Sequence, residues 1–203
     1  MLAQPITKLF NISILFSYVP PQWKSSIITP VPKVSHPVEA ADFRPISVTS
    51  ILCRLLEKII AHRFFHPFLT EPHTNQQFSD QYAFHPTEST TAALIALTHN
   101  LTELLKDNQY IHVIALDISK AFDTIRHAYL AEQLAELPIP DCVYNWVVSF
   151  LCNRTHVTKY NGSVSTIAYI NASIVQGSGL GPLNFITAIS KLKTVYPHNQ
   201  MAM

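Results

Sequence analysis

The chain has 203 residues, of which 48% are hydrophobic and 13% charged, and its formal net charge is +1. This length and composition exclude an intrinsically disordered protein and allow one substantial core or two small ones. Lysine and arginine are spread thinly, so composition alone does not indicate nucleic-acid binding.

The first predicted element is an amphipathic helix over residues 5–17, which ends near Pro20 and Pro21. Asn11 and Ser13 interrupt its apolar run and no small-residue cleavage site follows, so a secretory signal is not predicted. The segment is too short to span a membrane. The three cysteines lack C-x-x-C spacing and are predicted to be reduced thiols. We therefore expect an intracellular protein with no membrane partner.

Two short extended segments follow, over residues 27–31 and 43–47. The prolines of the first segment confine it to a sheet edge or a turn, because proline lacks the backbone N–H. Lys33 and Arg44 lie close to these segments. A lysine charge and an arginine fork are natural phosphate ligands, although most such side chains are simply solvated.

Two helices are predicted next, over residues 50–69 and 87–107, with Ser50 as the N-cap of the first. His62 and His66 lie one helical turn apart but lack an obvious third metal ligand, which favours ordinary helix-surface histidines. The second helix carries a leucine stripe of the kind that usually faces a core: Leu94, Leu97, Leu101 and Leu104.

The central stretch of the chain combines an apolar run with two aspartates. Residues 111–116 are apolar and rich in β-branched side chains, Asp117 ends the run, and Phe122 and Asp123 follow. This pattern predicts a buried strand that delivers Asp117 to the edge of a core, followed by a tight turn that carries Phe122. A carboxylate in that place is costly to desolvate unless it is paired or bound to a cation.

The remaining pattern predicts helices, a hairpin and a glycine-rich turn. Asn161-Gly162 is the pair favoured in a type I′ hairpin turn, and the other three glycines lie within residues 175–183, where the backbone can approach a ligand closely. The predicted ranges are helices over 128–136, 141–152 and 184–193, and hairpin strands over 156–160 and 163–170.

The order of these stretches resembles reverse transcriptases of non-LTR retrotransposons. LDISKAFDTIRH resembles motif A, VQGSGLGPL resembles motif B, and WKSSIITPVPK followed by FRPIS resembles the fingers region. The resemblance implies that Asp117 binds the catalytic magnesium ions and that Phe122 screens the sugar of the incoming nucleotide. It also implies that Lys33 and Arg44 approach the triphosphate, and that the turn carrying Gln176 and Gly177 lies against the template base and the nucleotide.

The same resemblance implies the fold and the partners. We expect an α/β (α+β) chain with a right-hand polymerase's fingers over residues 1–108 and an incomplete palm over residues 109–203, built from antiparallel strands packed with helices. The implied partners are an RNA template, a DNA primer and a deoxynucleoside triphosphate.

Three departures from the family pattern bear on activity. Ala83 stands where a glycine is expected, and His85 stands where an arginine is expected, which makes any phosphate contact pH-dependent. The chain also contains no Asp-Asp pair, the mark of motif C. Nucleotidyl transfer uses two magnesium ions roughly 3.5–4 Å apart, and Asp117 alone does not hold both, nor does Asp123 replace the pair.

Three interpretations stay open at this point. The chain is a fragment of a reverse transcriptase domain that is inactive by itself, or a non-enzymatic retrotransposon remnant that binds nucleic acid or protein. The third is a pseudogene product that does not fold stably.

Overall fold

The computed structural model describes residues 2–70, 78, 81–84, 88–195 and 201. The described helices and strands form a mixed α/β fold, which confirms the predicted class. The helices are α1 (Ala3–Leu15), α2 (Pro21–Lys24), α3 (Ile51–Ile60), α4 (His66–Thr70), α5 (Thr90–Asp107), α6 (Ala121–Thr124), α7 (His127–Ala135), α8 (Asp141–Leu151) and α9 (Gly181–Ile189). The strands are β1 (Ser25–Pro32), β2 (Phe43–Val48), β3 (Arg154–Tyr160), β4 (Ser163–Val164) and β5 (Ala168–Ile170).

The sheet has the order β2-β1-β3-β4, and β5 also pairs with β3. β1 is antiparallel to β2 and parallel to β3, and the parallel pairing covers residues 25–28 of β1. Pro30 and Pro32 lie beyond that pairing, so their half of β1 is hydrogen-bonded on one side, as the edge prediction requires. β1 and β3 come from opposite sides of the boundary predicted after residue 108 and belong to one sheet. The predicted division into fingers and palm is not tested by this pairing and stays a prediction.

The predicted hairpin is confirmed at its turn. Asn161 and Gly162 have φ angles of 46° and 79°, both positive as a type I′ turn requires. Tyr160 then faces Ser163 across the two-residue loop. β5 continues the return path and pairs with the start of β3.

The core lies among the helices, with α8 packed against α1, α2 and α7. Trp146 of α8 is fully buried and stacks on Phe150 with ring centroids 5.6 Å apart. Its indole N–H donates to Ser13 Oγ at 2.9 Å, and the Ser13 hydroxyl donates to the carbonyl of Tyr18 at 2.6 Å. The buried indole N–H of Trp146 and the buried hydroxyl of Ser13 therefore both have hydrogen-bond partners, as most buried polar groups do.

The helices predicted over residues 5–17, 128–136, 141–152 and 184–193 are confirmed, with ends shifted by a few residues. The helix predicted over 50–69 is also confirmed, although its middle is a π-helical turn at Ala61–Phe65 that joins α3 to α4. Helices of the described part of the chain are either too short or too polar to cross a membrane.

The buried strand predicted over residues 111–116 is wrong. These residues belong to no helix or strand, and Ile114 and Leu116 are 80% and 86% exposed. An apolar run becomes a strand when a neighbouring strand takes its N–H and C=O groups and another layer covers its side chains. None of the described strands pairs with this segment.

The helix predicted over residues 87–107 begins at Thr90, where the Ser89 hydroxyl accepts the Ala92 N–H at 3.1 Å. The prediction that its leucine stripe faces a core is wrong, because α5 has no buried residue and Leu94 is 62% exposed. Helical periodicity reports an apolar face but not whether a partner covers it. His85, which stands where the family pattern has an arginine, lies outside the described residues.

Candidate functional site

A cleft of about 1030 Å³ opens between the β1–β2 ribbon, α6 and the glycine-rich turn that precedes α9. Its lining draws on six separate stretches of sequence. Five of the six predicted site residues line it: Lys33, Arg44, Phe122, Gln176 and Gly177. The sixth, Asp117, does not belong to the lining.

The cationic wall of the cleft comes from the β1–β2 ribbon. The register pairs Val31 with Arg44, which brings Arg44 close to Lys33 just beyond the end of β1. Lys33 Nζ donates to the carbonyl of Ala41 at 3.0 Å. Hydrogen bonds from backbone N–H groups lower the pKa of the Asp42 carboxyl, and the charge of Lys33 adds to this effect. Part of the Lys33 charge is therefore already balanced.

Arg44 differs from Lys33 because its charged group has no hydrogen-bond partner among the described residues. Its side chain is exposed, and its guanidinium makes no hydrogen bond or ion pair with the part of the chain that the structure describes. A guanidinium in an open cleft is available for bidentate contact with phosphate oxygens. Arg44 is thus the better placed of the two predicted phosphate ligands.

Lys120 adds a third cation that the sequence did not single out. It lines the cleft beside α6 and has a left-handed backbone with φ of 53°. No local pattern marks this lysine, since a charged residue in a turn is usually solvated. Lys120 could be recognised as part of the site only from the structure, which shows that it lines the same cavity as Lys33 and Arg44.

Phe84 and Phe122 line the cleft on its aromatic side, and Phe185 packs against both of their rings. The rings of Phe122 and Phe185 stack with centroids 4.5 Å apart and an interplanar angle of 14°. Phe84 contacts both rings edge-on, at 6.0 Å from Phe122 and 6.1 Å from Phe185. Such pairs stabilise the contact beyond simple burial, so the ring predicted to screen the sugar is held from two sides. Phe84 and Phe185 were not predicted, because their proximity to Phe122 is a long-range contact.

The glycine-rich turn forms the floor of the cleft. Gly177 has φ of 96°, and a Cβ atom there would lie 3.0 Å from the carbonyl oxygen of Ser47. The Ser47 N–H donates to the carbonyl of Gln176 at 2.9 Å. The turn therefore sits directly against the end of β2, a close approach that a glycine permits.

Two further hydrogen bonds join this turn to the motif A region. Gln176 Nε2 donates to Asp123 Oδ1 at 3.4 Å. The backbone N–H of Ile174 donates to the carbonyl of Phe122 at 2.7 Å. The predicted motifs A and B thus meet at one wall of the cleft, through residues about 50 positions apart.

Asp117 stands apart from this arrangement. It is exposed, next to Leu116 in the segment without regular structure. Among the described residues there is no group of three histidine, cysteine, aspartate or glutamate side chains that could hold a metal ion. Magnesium bound by protein needs carboxylate oxygens in near-octahedral geometry, so the residues described here do not fit the two-magnesium site of a polymerase.

Comparison with known proteins agrees with the order of motifs. Residues 31–201 match the family described as reverse transcriptase (RNA-dependent DNA polymerase). The chain is 30% identical over 176 residues, 86% of its length, to a probable RNA-directed DNA polymerase from transposon BS of Drosophila melanogaster, and covers 19% of that protein. It is 29% identical over 96% of its length to the RNA-directed DNA polymerase from mobile element jockey of the same species, and covers 21% of that protein.

A third relative comes from another element. Over 86% of its length the chain is 27% identical to the Pol polyprotein from type-1 retrotransposable element R2 of Bradysia coprophila, and covers 19% of it. The chain spans about a fifth of the curated relatives it matches. It belongs to the reverse transcriptase (RNA-dependent DNA polymerase) family, and the predicted resemblance to the non-LTR retrotransposon branch is confirmed.

Proposed function

We propose that the chain forms the nucleotide-binding front part of a domain for RNA-directed DNA synthesis, and that its cleft holds an incoming deoxynucleoside triphosphate. The observation that carries this proposal is the convergence of five predicted residues, distant in sequence, on one cavity. The RNA template and the DNA primer are the partners that the family implies.

The chemistry of the walls supports a triphosphate and a sugar. Arg44, Lys33 and Lys120 supply three positive charges against one lining carboxylate, that of Asp123, which suits a polyanionic ligand. Phe122, held by its two aromatic neighbours, presents an apolar ring where a 2′-hydroxyl would be unfavourable. Gln176 and Gly177 offer a side-chain amide and bare backbone for the base.

Magnesium enters this proposal only as the family's cofactor. The resemblance assigns it to Asp117, and no step is derived through it because the described residues do not form its site. We propose that the 203-residue chain by itself binds nucleotide without polymerising it.

A titration of the purified chain with dTTP tests the proposal. Arg44→Ala removes the cation with the free head group, and the loss of a charge-assisted contact of about 1.5–3 kcal/mol predicts affinity weaker by roughly 10- to 100-fold. Lys33→Ala is expected to have the smaller effect, since Lys33 is already bonded to Ala41.

The matched control is Arg63→Ala, which removes the same charge from an exposed helical position outside the cleft. It is expected to leave dTTP affinity unchanged apart from weak long-range screening. Equal affinity of the wild-type, Arg44→Ala and Arg63→Ala chains would remove Arg44 from the site.

A further inference from the structure

Glu57 is a fully buried carboxylate that no part of the sequence analysis singled out. It lies on α3, on the same face as the buried Cys53, Leu56 and Ile60. Burying an ionised carboxylate is costly unless its oxygens receive hydrogen bonds and an opposite charge is near. The groups that donate hydrogen bonds to Glu57 and the cation near it therefore indicate the role of this residue.

Both carboxylate oxygens of Glu57 have donors, and the two on Oε2 belong to the glycine-rich turn. The Ser178 hydroxyl donates to Oε2, and the Leu180 N–H donates to the same oxygen at 3.3 Å. The Cys53 thiol donates to Oε1 at 3.4 Å. Burial raises the pKa of this thiol, and the charge of Glu57 raises it further, so Cys53 stays protonated as a donor.

A buried arginine compensates the charge. Arg154 is fully buried, lies with its guanidinium carbon 4.3 Å from the centre of the Phe150 ring, and donates to the Phe150 carbonyl at 3.1 Å. Burial lowers the pKa of Arg154, and the negative charge of Glu57 opposes that shift. The carboxylate and the guanidinium are thus electrostatically coupled within one core.

The turn has little room to move against α3. A Cβ atom at Gly179 would lie 3.1 Å from Glu57 Cβ and 3.2 Å from the side chain of Lys58. Gly177 and Ser178 line the large cleft on one side and a second cavity of about 350 Å³ on the other. The turn is therefore a thin wall, fixed in front by Ser47 and behind by Glu57.

We infer that Glu57 is a positioning residue that sets where Gln176 and Gly177 meet the nucleotide, an inference that rests on the proposed nucleotide-binding function. Glu57 touches no ligand in this role. It acts through Ser178 and Leu180, which it holds from behind the turn.

The test compares Glu57→Gln, Ser178→Ala and their double variant in dTTP titration and in amide hydrogen exchange. A carboxamide has one acceptor oxygen in place of two and no charge, so the Leu180 amide is expected to exchange about tenfold faster and dTTP to bind about tenfold more weakly. Ser178→Ala removes one of the two donors to Oε2 while it keeps the Glu57 carboxylate, so it serves if Glu57→Gln does not fold. Because the two residues share the Ser178–Glu57 hydrogen bond, the loss of dTTP affinity in the double variant should be less than the sum of the losses in the two single variants.

Leu56→Val is the matched control, since it removes a methylene from the core beside Glu57 and takes away neither the Ser178 nor the Leu180 hydrogen bond. It is expected to lower stability while leaving dTTP affinity and Leu180 exchange unchanged. Unchanged dTTP affinity in folded Glu57→Gln and Ser178→Ala would overturn the inference, whatever happens to stability. If the wild-type chain binds no dTTP, the proposed function fails, and the exchange rates alone decide whether Glu57 fixes the turn.

Discussion

Gly177 and Gly162 both have a positive φ, yet their surroundings differ. An added Cβ at Gly162 meets nothing within 4 Å, whereas at Gly177 it would approach the Ser47 carbonyl to 3.0 Å. Gly162→Ala is therefore expected to lower the free energy of unfolding only by the cost of the left-handed backbone, about 1–2 kcal/mol. Gly177→Ala carries that strain and a backbone collision, so it should cost more.

Urea unfolding of both variants measures the two losses of unfolding free energy. A dTTP titration then compares the nucleotide affinities of the two variants. Gly177→Ala should weaken nucleotide affinity because its turn moves away from Ser47, while Gly162→Ala, in the hairpin, should not. Equal stability losses in the two variants would contradict the close approach seen at Gly177.

Residues with a local signature were predictable, and residues defined by long-range contact were not. Asn161 and Gly162 carry their turn type in their own backbone preferences, which is why the hairpin is correct. Glu57 contacts Ser178 across 121 positions of sequence, and no periodicity or motif reports such a pair. Arg44 and Gln176 were found through resemblance rather than through local chemistry.

At the scale of elements, α7 begins at a histidine that is sensitive to pH. Burial lowers the pKa of His127 below its ordinary value of 6.5, and its Nε2 lies 2.8 Å from the Ser173 carbonyl just before the glycine-rich turn. A lowered pKa means that the unfolded chain binds the proton more readily than the folded one. The contribution of His127 to the free energy of unfolding is therefore greatest above pH 6.5. It is lost as the pH falls from 6.5 through the lowered pKa of the folded state.

We therefore expect the free energy of unfolding to fall as the pH is lowered from 7 through this window. His127→Gln keeps a donor for Ser173 but does not titrate, so its unfolding free energy should change less over the same range. Urea unfolding at several pH values measures both chains. An identical pH dependence in the two would assign the effect to other groups.

Two elements show what an apolar pattern does not report. Residues 111–116 have the composition of a strand and the leucines of α5 that of a core-facing helix, yet neither segment contains a buried residue. Composition states how much apolar surface a segment has, while burial depends on a partner that covers it. The helices α1, α7 and α8 were predicted well because each packs against another described helix.

At the scale of the whole molecule, the cleft proposed to bind nucleotide is assembled, while the carboxylates that the resemblance implies for magnesium are not. The cleft collects its residues from the ribbon, α6 and the turn, but Asp117 lies outside the lining. The sequence holds no Asp-Asp pair. Under the proposed function, binding and catalysis are therefore separable in this chain, because metals stabilise the transition-state charge in phosphoryl transfer, whereas the cleft would bind the nucleotide through its own cations.

The last prediction follows from that separation. Primer extension by the monomeric 203-residue chain, on an RNA template with magnesium and the four deoxynucleoside triphosphates, should give no product above background. The same preparation should bind dTTP and show the helical content of α1 to α9 by circular dichroism, which excludes an unfolded chain as the reason. Exposed Ile114 and Leu116 favour association, so size-exclusion chromatography must precede the assay. Extension that disappears in Asp117→Ala would contradict the prediction, since it would mean that Asp117 binds magnesium together with ligands outside the described arrangement.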